Sequence, residues 1–350
     1  MLINFIQSPD QDPSNKWRNI FAIIVVTLGV GLSVGPNIGL TKPVVDASNK
    51  IFPKFVPSYV PKNVVGGDIT VEPPRPVPPP LPIPNLIGEL PVPENFTAKS
   101  IFVKDKVSNK VLFAKEEYAP RPIASITKLM SALVLLEKPI QWSSSTVVVE
   151  GDLVDSHMFA GEEYTNEQLW NAGLVASSNK AIMSLVIGAG WDESQFVARM
   201  NEKALELGMT HTQFVEPTGL DEKNISTASD VALLLNAALE KKEISETLLE
   251  KEYTLSNIET KKSHHMWTTN WLLLNWIPQD SFEIIGGKTG YINASGYNFT
   301  VEVKDDKGKE ITVVVLGADT HEGRFTEARD VAKAVYKVYA WPEAARSTEE

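Results

Sequence analysis

The chain has 350 residues, 33 of them basic and 44 acidic, for a formal net charge of −11, and 43% of it is apolar. That length allows one large domain or two small ones with a true core, while the acidic balance excludes the basic footprint that a nucleic-acid binder needs. Cysteine is absent, so there are no disulfides and no thiolate nucleophiles or metal ligands, and the five histidines (157, 211, 264, 265 and 321) show no metal-ligand spacing, so no metal is expected.

Residues 1–19 are polar, close on Lys16, Trp17 and Arg18, and read as an N-terminal cytoplasmic tail. No charged residue then occurs from Asn19 to Thr41. About 20 apolar residues cross a bilayer as a helix, so 20–40 reads as a transmembrane signal anchor. The alternative is a signal peptide cleaved near Val45, Asp46 and Ala47. Either way the remainder is expected on the extracytoplasmic side, tied to or released from the cell membrane. Residues 41–95 hold 14 of the 23 prolines. Proline lacks an N–H and fixes φ, so the run 73–84 is expected as an extended polyproline helix of about 37 Å. It reads as a linker that spaces the rest from its anchor; the sharper alternative is a ligand for a proline-binding module.

From Phe96 the composition is that of a folded domain, taken to span 96–340. Ser100–Asp105 and Lys110–Lys115 read as strands about a turn. Ile126, Leu129, Met130, Leu133 and Leu136 recur at helical spacing and predict a helix over 125–137. A second helical stretch, 166–187, is broken near Ser177, Ser178 and Asn179. Ser226 to Asp230 supplies caps for a helix to Lys241. Three strands follow at 282–289, 296–304 and 310–317, then a last helix over 322–340. Residues 341–350 form a C-terminal tail. Strands at both ends with helices between them predict an α/β (α+β) fold: an antiparallel sheet of about five strands flanked by helices, with an inserted helical subdomain. His264 and His265 read as part of a surface strand or loop. Trp267, Trp271 and Trp276 read as packing rather than as a glycan-stacking platform.

Three short motifs carry chemistry. Ser125, Ile126, Thr127 and Lys128 place a serine at a helix start with a lysine one turn on, where a buried amine can deprotonate the hydroxyl. Ser-x-x-Lys occurs by chance about once in a chain of this size, and Ser177 with Lys180 also fits it. Ser177, Ser178 and Asn179 offer a hydroxyl to relay a proton and an amide to bind a carbonyl. Lys288, Thr289 and Gly290, after Gly286 and Gly287, offer a strand edge for an extended peptide and groups for a carboxylate. Each alone is weak; in this order, each in a plausible element, they form the set found in penicillin-binding proteins and class A β-lactamases.

The chain resembles the serine D-Ala-D-Ala carboxypeptidases, the low-molecular-mass penicillin-binding proteins with a β-lactamase/transpeptidase-like fold, over about residues 97–340. Arg121–Glu137, Phe214–Asp221, Ser226–Asp230, Thr269–Leu273 and Gly287–Tyr297 also carry the likeness. The resemblance implies Ser125 as acylated nucleophile, Lys128 as general base and Ser177 as proton relay. It implies that Asn179, Lys288, Thr289, Gly290 and Arg324 bind substrate, with the backbone N–H groups of Ser125 and Tyr291 as oxyanion hole. Its motif order selects Ser125 over Ser177 as the nucleophile. The chain departs from the pattern at Lys180, where Asp is common, and at Ile292, where Thr is frequent. The implied function is a D,D-carboxypeptidase acting on peptidoglycan stem peptides that end in D-Ala-D-Ala, with β-lactams as covalent inhibitors and no cofactor. The alternatives are a D,D-endopeptidase with the same site, an inactive penicillin-binding-like sensor or scaffold, and a β-lactamase with Glu216 as deacylating base.

Overall fold

The computed structural model describes residues 81–342 apart from Asp152 and Ser156. The polar tail 1–19, the apolar span 20–40, the proline run up to residue 80 and the acidic end 347–350 lie outside the described residues. Residues 84–87, which composition assigns to the linker, join the packed region. Asn85 and Leu86 pair with Tyr339 and Ala340, and Lys110 Nζ donates to Pro84 O at 2.6 Å.

Five antiparallel strands form the central sheet: β1 (Ser100–Asp105), β2 (Val111–Lys115), and, far along the chain, β5 (Glu283–Ile292), β6 (Gly296–Lys304) and β7 (Glu310–Ala318). Their spatial order is β5-β6-β7-β1-β2. Between β2 and β5 come α1 (Thr127–Leu135), α2 (Asn166–Leu174), α3 (Asn179–Gly188), α4 (Glu193–Glu206), α5 (Ala228–Leu239), α6 (Lys242–Leu248) and a hairpin of β3 (Glu252–Ser256) and β4 (Ser263–Trp267). Helix α7 (Gly323–Val338) ends the domain.

Both faces of the sheet are buried, and strand periodicity shows how. On β1 and β7, Ile101, Val103, Val313 and Val315 point into one core with Phe325, Ala328 and Val331 of α7. Phe102, Val314 and Leu316 point the other way, into a core with α1, α2 and α5. A side-chain period of two gives each strand one foot in each core. Each such side chain contributes about 1.5–3 kcal/mol of burial.

Several boundaries differ from the sequence expectation. The helix predicted over 125–137 is an α-helix only over Thr127–Leu135, preceded by a 3-10 turn at Ala124–Ile126. It stops short of Pro139, which disfavours helical geometry in the residue before it. The strand predicted to end at residue 289 runs on to Ile292, because pairing with β6 continues to the Ile292–Gly296 register. The broken helix 166–187 resolves into α2 and α3, with Ser178 Oγ capping α3 by accepting from Ala181 N at 3.1 Å. Helices α4 and α6 and the β3–β4 hairpin are additional to the elements read from sequence. His264 and His265 lie exposed on β4.

Candidate active site

Ser125 lies in the 3-10 turn that leads into α1, after Ala124, whose φ is +50°. A non-glycine residue in the left-handed region stores strain that surrounding structure must hold. Two glycines allow that clasp. Any Cβ on Gly219 would stand 2.0 Å from Ala124 O, and one on Gly290 would stand 2.5 Å from Ile123 O. Backbone therefore closes on the turn from both sides.

Lys128, one turn on, is fully buried. Its Nζ lies 2.7 Å from Ser125 Oγ, 2.7 Å from Asn179 Oδ1 and 2.7 Å from Thr218 O. Burial lowers its pKa to about 7, against the opposing pull of Glu216 and Asp155. The geometry suits a base. In the neutral state two N–H groups serve Asn179 and Thr218, and the lone pair is left for the Ser125 proton. The loop 215–224 is laid along α1 to supply that carbonyl. Ser131 Oγ donates to Pro217 O at 2.5 Å, and Asn224 Nδ2 reaches Thr127 Oγ1 at 3.3 Å.

The turn between α2 and α3 carries the second motif. Ser177 has φ +63°, and its Oγ accepts from Lys288 Nζ at 2.8 Å. Asn179 is held at both ends of its amide: Oδ1 by Lys128, and Nδ2 by donation to Val154 O at 2.5 Å. Asp155 fixes the same turn, accepting from Ser178 Oγ at 2.5 Å and from the Lys180 backbone N–H at 2.9 Å.

The third motif lies on β5, the edge strand of the sheet. Lys288 is 1% exposed. Burial, with Lys128 and Arg324 nearby, drives its pKa well below the ordinary lysine value. Thr289 Oγ1 donates to Thr269 Oγ1 at 2.6 Å. Arg324, at the start of α7, is 4% exposed and lies with Nη1 3.4 Å from Gly290 O. Burial lowers its pKa to about 10. Tyr291 follows at the edge, half exposed, with its ring stacked on Tyr297.

The residues singled out from sequence are thus gathered beside the sheet edge formed by β5. Three buried basic groups, Lys128, Lys288 and Arg324, meet there, and none has a carboxylate within ion-pairing distance among the described residues. Such charges are costly unless an anion arrives or the groups shed protons. The competing Ser177–Lys180 pair does not form the same contact: Lys180 is half-buried, and its side chain has no hydrogen bond or ion pair among the described residues. Asp155 and Val154 O support the site and went unread in the sequence, while Thr218 O and Thr269 lie in stretches that carried the likeness but were given no role there. Asp155 and Val154 had no signal, because their loop reaches the site only in the fold. No group of three or more His, Asp or Glu side chains clusters as for a metal among the described residues.

Comparison with known proteins bears on the family and the fold. A family model described as D-alanyl-D-alanine carboxypeptidase matches residues 89–320. The chain is 30% identical over 251 residues to a D-alanyl-D-alanine endopeptidase of Pseudomonas aeruginosa, covering 70% of this chain and 78% of that protein. It is 31% identical over 255 residues to a D-alanyl-D-alanine carboxypeptidase of Bacillus subtilis, covering 69% and 64%. Its fold is similar to ampicillin-bound penicillin-binding protein D2 of Listeria monocytogenes, with a TM-score of 0.60 at 27% identity over 69% of this chain and 98% of that one. The class is therefore a serine peptidase of the penicillin-binding, transpeptidase-like fold. Within it, the chain belongs to the D-alanyl-D-alanine carboxypeptidase family.

Proposed function

We propose that the protein is a D,D-carboxypeptidase that removes the terminal D-Ala from peptidoglycan stem peptides through an acyl-enzyme on Ser125. The observation that carries this reading is the meeting of a serine–lysine pair with Lys288 and Arg324, two buried basic groups with no counter-ion among the described residues. A peptide ending in a free carboxylate supplies that ion and brings its last amide bond to Ser125.

In this reading neutral Lys128 takes the Ser125 proton as Oγ attacks the carbonyl carbon. The oxyanion forms against the backbone N–H groups of Ser125 and Tyr291, where fixed dipoles contribute without reorganisation. The proton returns to the leaving D-Ala nitrogen by way of Ser177, which Lys288 holds. Asn179 binds the carbonyl of the acyl side. Thr289, beside Gly290, binds the leaving carboxylate with Arg324. Water, activated by Lys128 in turn, hydrolyses the ester.

β-Lactams present a strained amide and a carboxylate in the same relation, so they are proposed to acylate Ser125 and to leave slowly. Glu216 supports slow release. Its carboxylate accepts from Thr218 N at 2.6 Å, Thr218 Oγ1 at 2.6 Å, Gly219 N at 2.5 Å and Asn224 Nδ2 at 2.8 Å. A group so occupied shapes its loop and is not free to activate a water. That weighs against the β-lactamase reading. The complete constellation weighs against an inactive sensor, and Lys180 takes no part in the contacts that set Lys128.

The test is D-Ala release from acyl-Lys-D-Ala-D-Ala, with Ser125→Ala as control. Release that disappears in the variant supports the reading; release that persists rejects Ser125, and no release from the folded wild type rejects the carboxypeptidase. The Pseudomonas relative's description as an endopeptidase favours a second reading, cleavage of cross-links by the same site. Cross-linked muropeptides cut faster than the tripeptide would favour it.

The apolar run 20–40 is proposed as a membrane anchor that holds the domain outside the cell on the proline-rich linker. Its support is the uncharged stretch itself. No helix among the described residues is long and apolar enough to cross a membrane. Membrane fractions that keep the protein through an alkaline wash would support the anchor; a soluble, shortened product would point to cleavage.

A further inference from the structure

One short hydrogen bond in the carboxylate pocket belongs to a residue outside every motif. Arg324 Nη2 lies 2.7 Å from His321 Nε2. A guanidinium only donates, so Nε2 must accept, and the imidazole proton sits on Nδ1. We propose that His321 is a positioning residue, fixing the Arg324 guanidinium so that the site selects peptides ending in a free carboxylate. This rests on the reading of Arg324 given above.

Arginine carries five N–H groups on a flexible stem. Among the described residues its one close acceptor is His321, since the contact to Gly290 O is long at 3.4 Å. Arg324 Nε is buried without a partner, and no carboxylate reaches the guanidinium among the described residues. The remaining donors are therefore free for an arriving anion, in a direction set by the His321 contact. His321 is itself held fast. Trp271 packs at 4.2 Å between ring centroids, and Tyr297 and Phe325 each at 5.7 Å. Its Nδ1 is buried and has no partner among the described residues. Burial, then Arg324, hold its pKa below the usual histidine value. The ring is thus kept in the neutral state that can accept.

The test uses the full chain and two peptides, acyl-Lys-D-Ala-D-Ala and its C-terminal carboxamide. His321→Leu keeps an apolar side chain against Trp271 but removes the acceptor; His321→Gln offers a carbonyl near the Nε2 position. Losing one charge-assisted hydrogen bond predicts a rise in KM for the carboxylate peptide of roughly tenfold in the Leu variant, with kcat nearly unchanged. The carboxamide should be affected little, and Gln should restore most of the loss. Equal losses on both peptides, or Gln as poor as Leu, would overturn the proposal. Nitrogen-15 NMR of the His321 ring reads the contact without turnover: a proton on Nδ1 is expected, and one on Nε2 would also overturn it. A wild type that hydrolyses neither peptide rejects the functional reading, and selectivity for the carboxylate with it.

Discussion

In the proposed mechanism Lys128 decides when Ser125 can react. Its pKa near 7 has a sign that can be worked through. The protonated amine uses all three N–H groups on Ser125, Asn179 and Thr218 and has no lone pair to take a proton. Acylation should therefore rise about tenfold per pH unit below 7 and level off above it, as the neutral fraction does. Stopped-flow acylation by a labelled penicillin across pH 5–9 measures this. Glu216 pulls the same pKa upward, so Glu216→Gln should move the rising limb to lower pH. A limb that stays in place would mean that Glu216 acts only on its loop. Among the residues themselves, Ser125, Lys128, Ser177, Asn179, Lys288 and Thr289 could be singled out in the sequence because each sits in a short motif, and Arg324 only through the family resemblance. Asp155 and His321 could not, since each reaches the site by a contact between segments distant in sequence or by a ring orientation that spacing does not encode; Thr218 lay in a quoted stretch, but the role of its carbonyl did not show.

At the scale of elements, the site depends on close backbone approach. The turn at Ala124 is clasped by the 215–224 loop and by β5, and Gly219 has φ +90° where a Cβ would overlap Ala124 O. Gly219→Ala should cost more than about 2 kcal/mol, combining left-handed strain with overlap that backbone cannot relieve. Acylation should fall with it. Chemical denaturation and penicillin labelling together check this; a variant as stable and as fast as the wild type would refute the clasp. The sequence made the sheet strands and the helices α1, α2–α3, α5 and α7 visible by their spacing, composition and caps. It placed their ends less well. The helix start at 125 became a 3-10 turn because Ala124 takes a left-handed φ, which no residue type at that position announces. Strand β5 continued through Lys288–Ile292 because its partner β6 extends it. Helix α4 and the β3–β4 hairpin, with mixed polar composition, take their form from the core they cover.

For the molecule as a whole, one sheet joins two cores, and the site draws on both. Ser125, Lys128, Ser177 and Asn179 come from the helical side, Lys288 and Thr289 from the sheet edge, and Arg324 from the helix on the opposite face. Ile311→Ala, deep in the core under α7, should therefore lower stability by about 2–5 kcal/mol. It should leave the acylation rate of the remaining folded protein unchanged. Urea unfolding followed by fluorescence and by penicillin labelling should give coincident transitions; a site lost before the fold would show that the two cores are not coupled. Strands at both ends with helices between them were legible from composition and period alone. The way α7 crosses beneath the sheet to deliver Arg324 was not, because it depends on the strand order.

The central claim is that Ser125, and no other hydroxyl, carries the acyl group. The most direct measurement is mass spectrometry of peptides from protein reacted with a penicillin at pH 8. One adduct is expected, on the peptide that contains Ser125, absent from Ser125→Ala and strongly slowed in Lys128→Met. An adduct on Ser177, or labelling that survives Ser125→Ala, would contradict it.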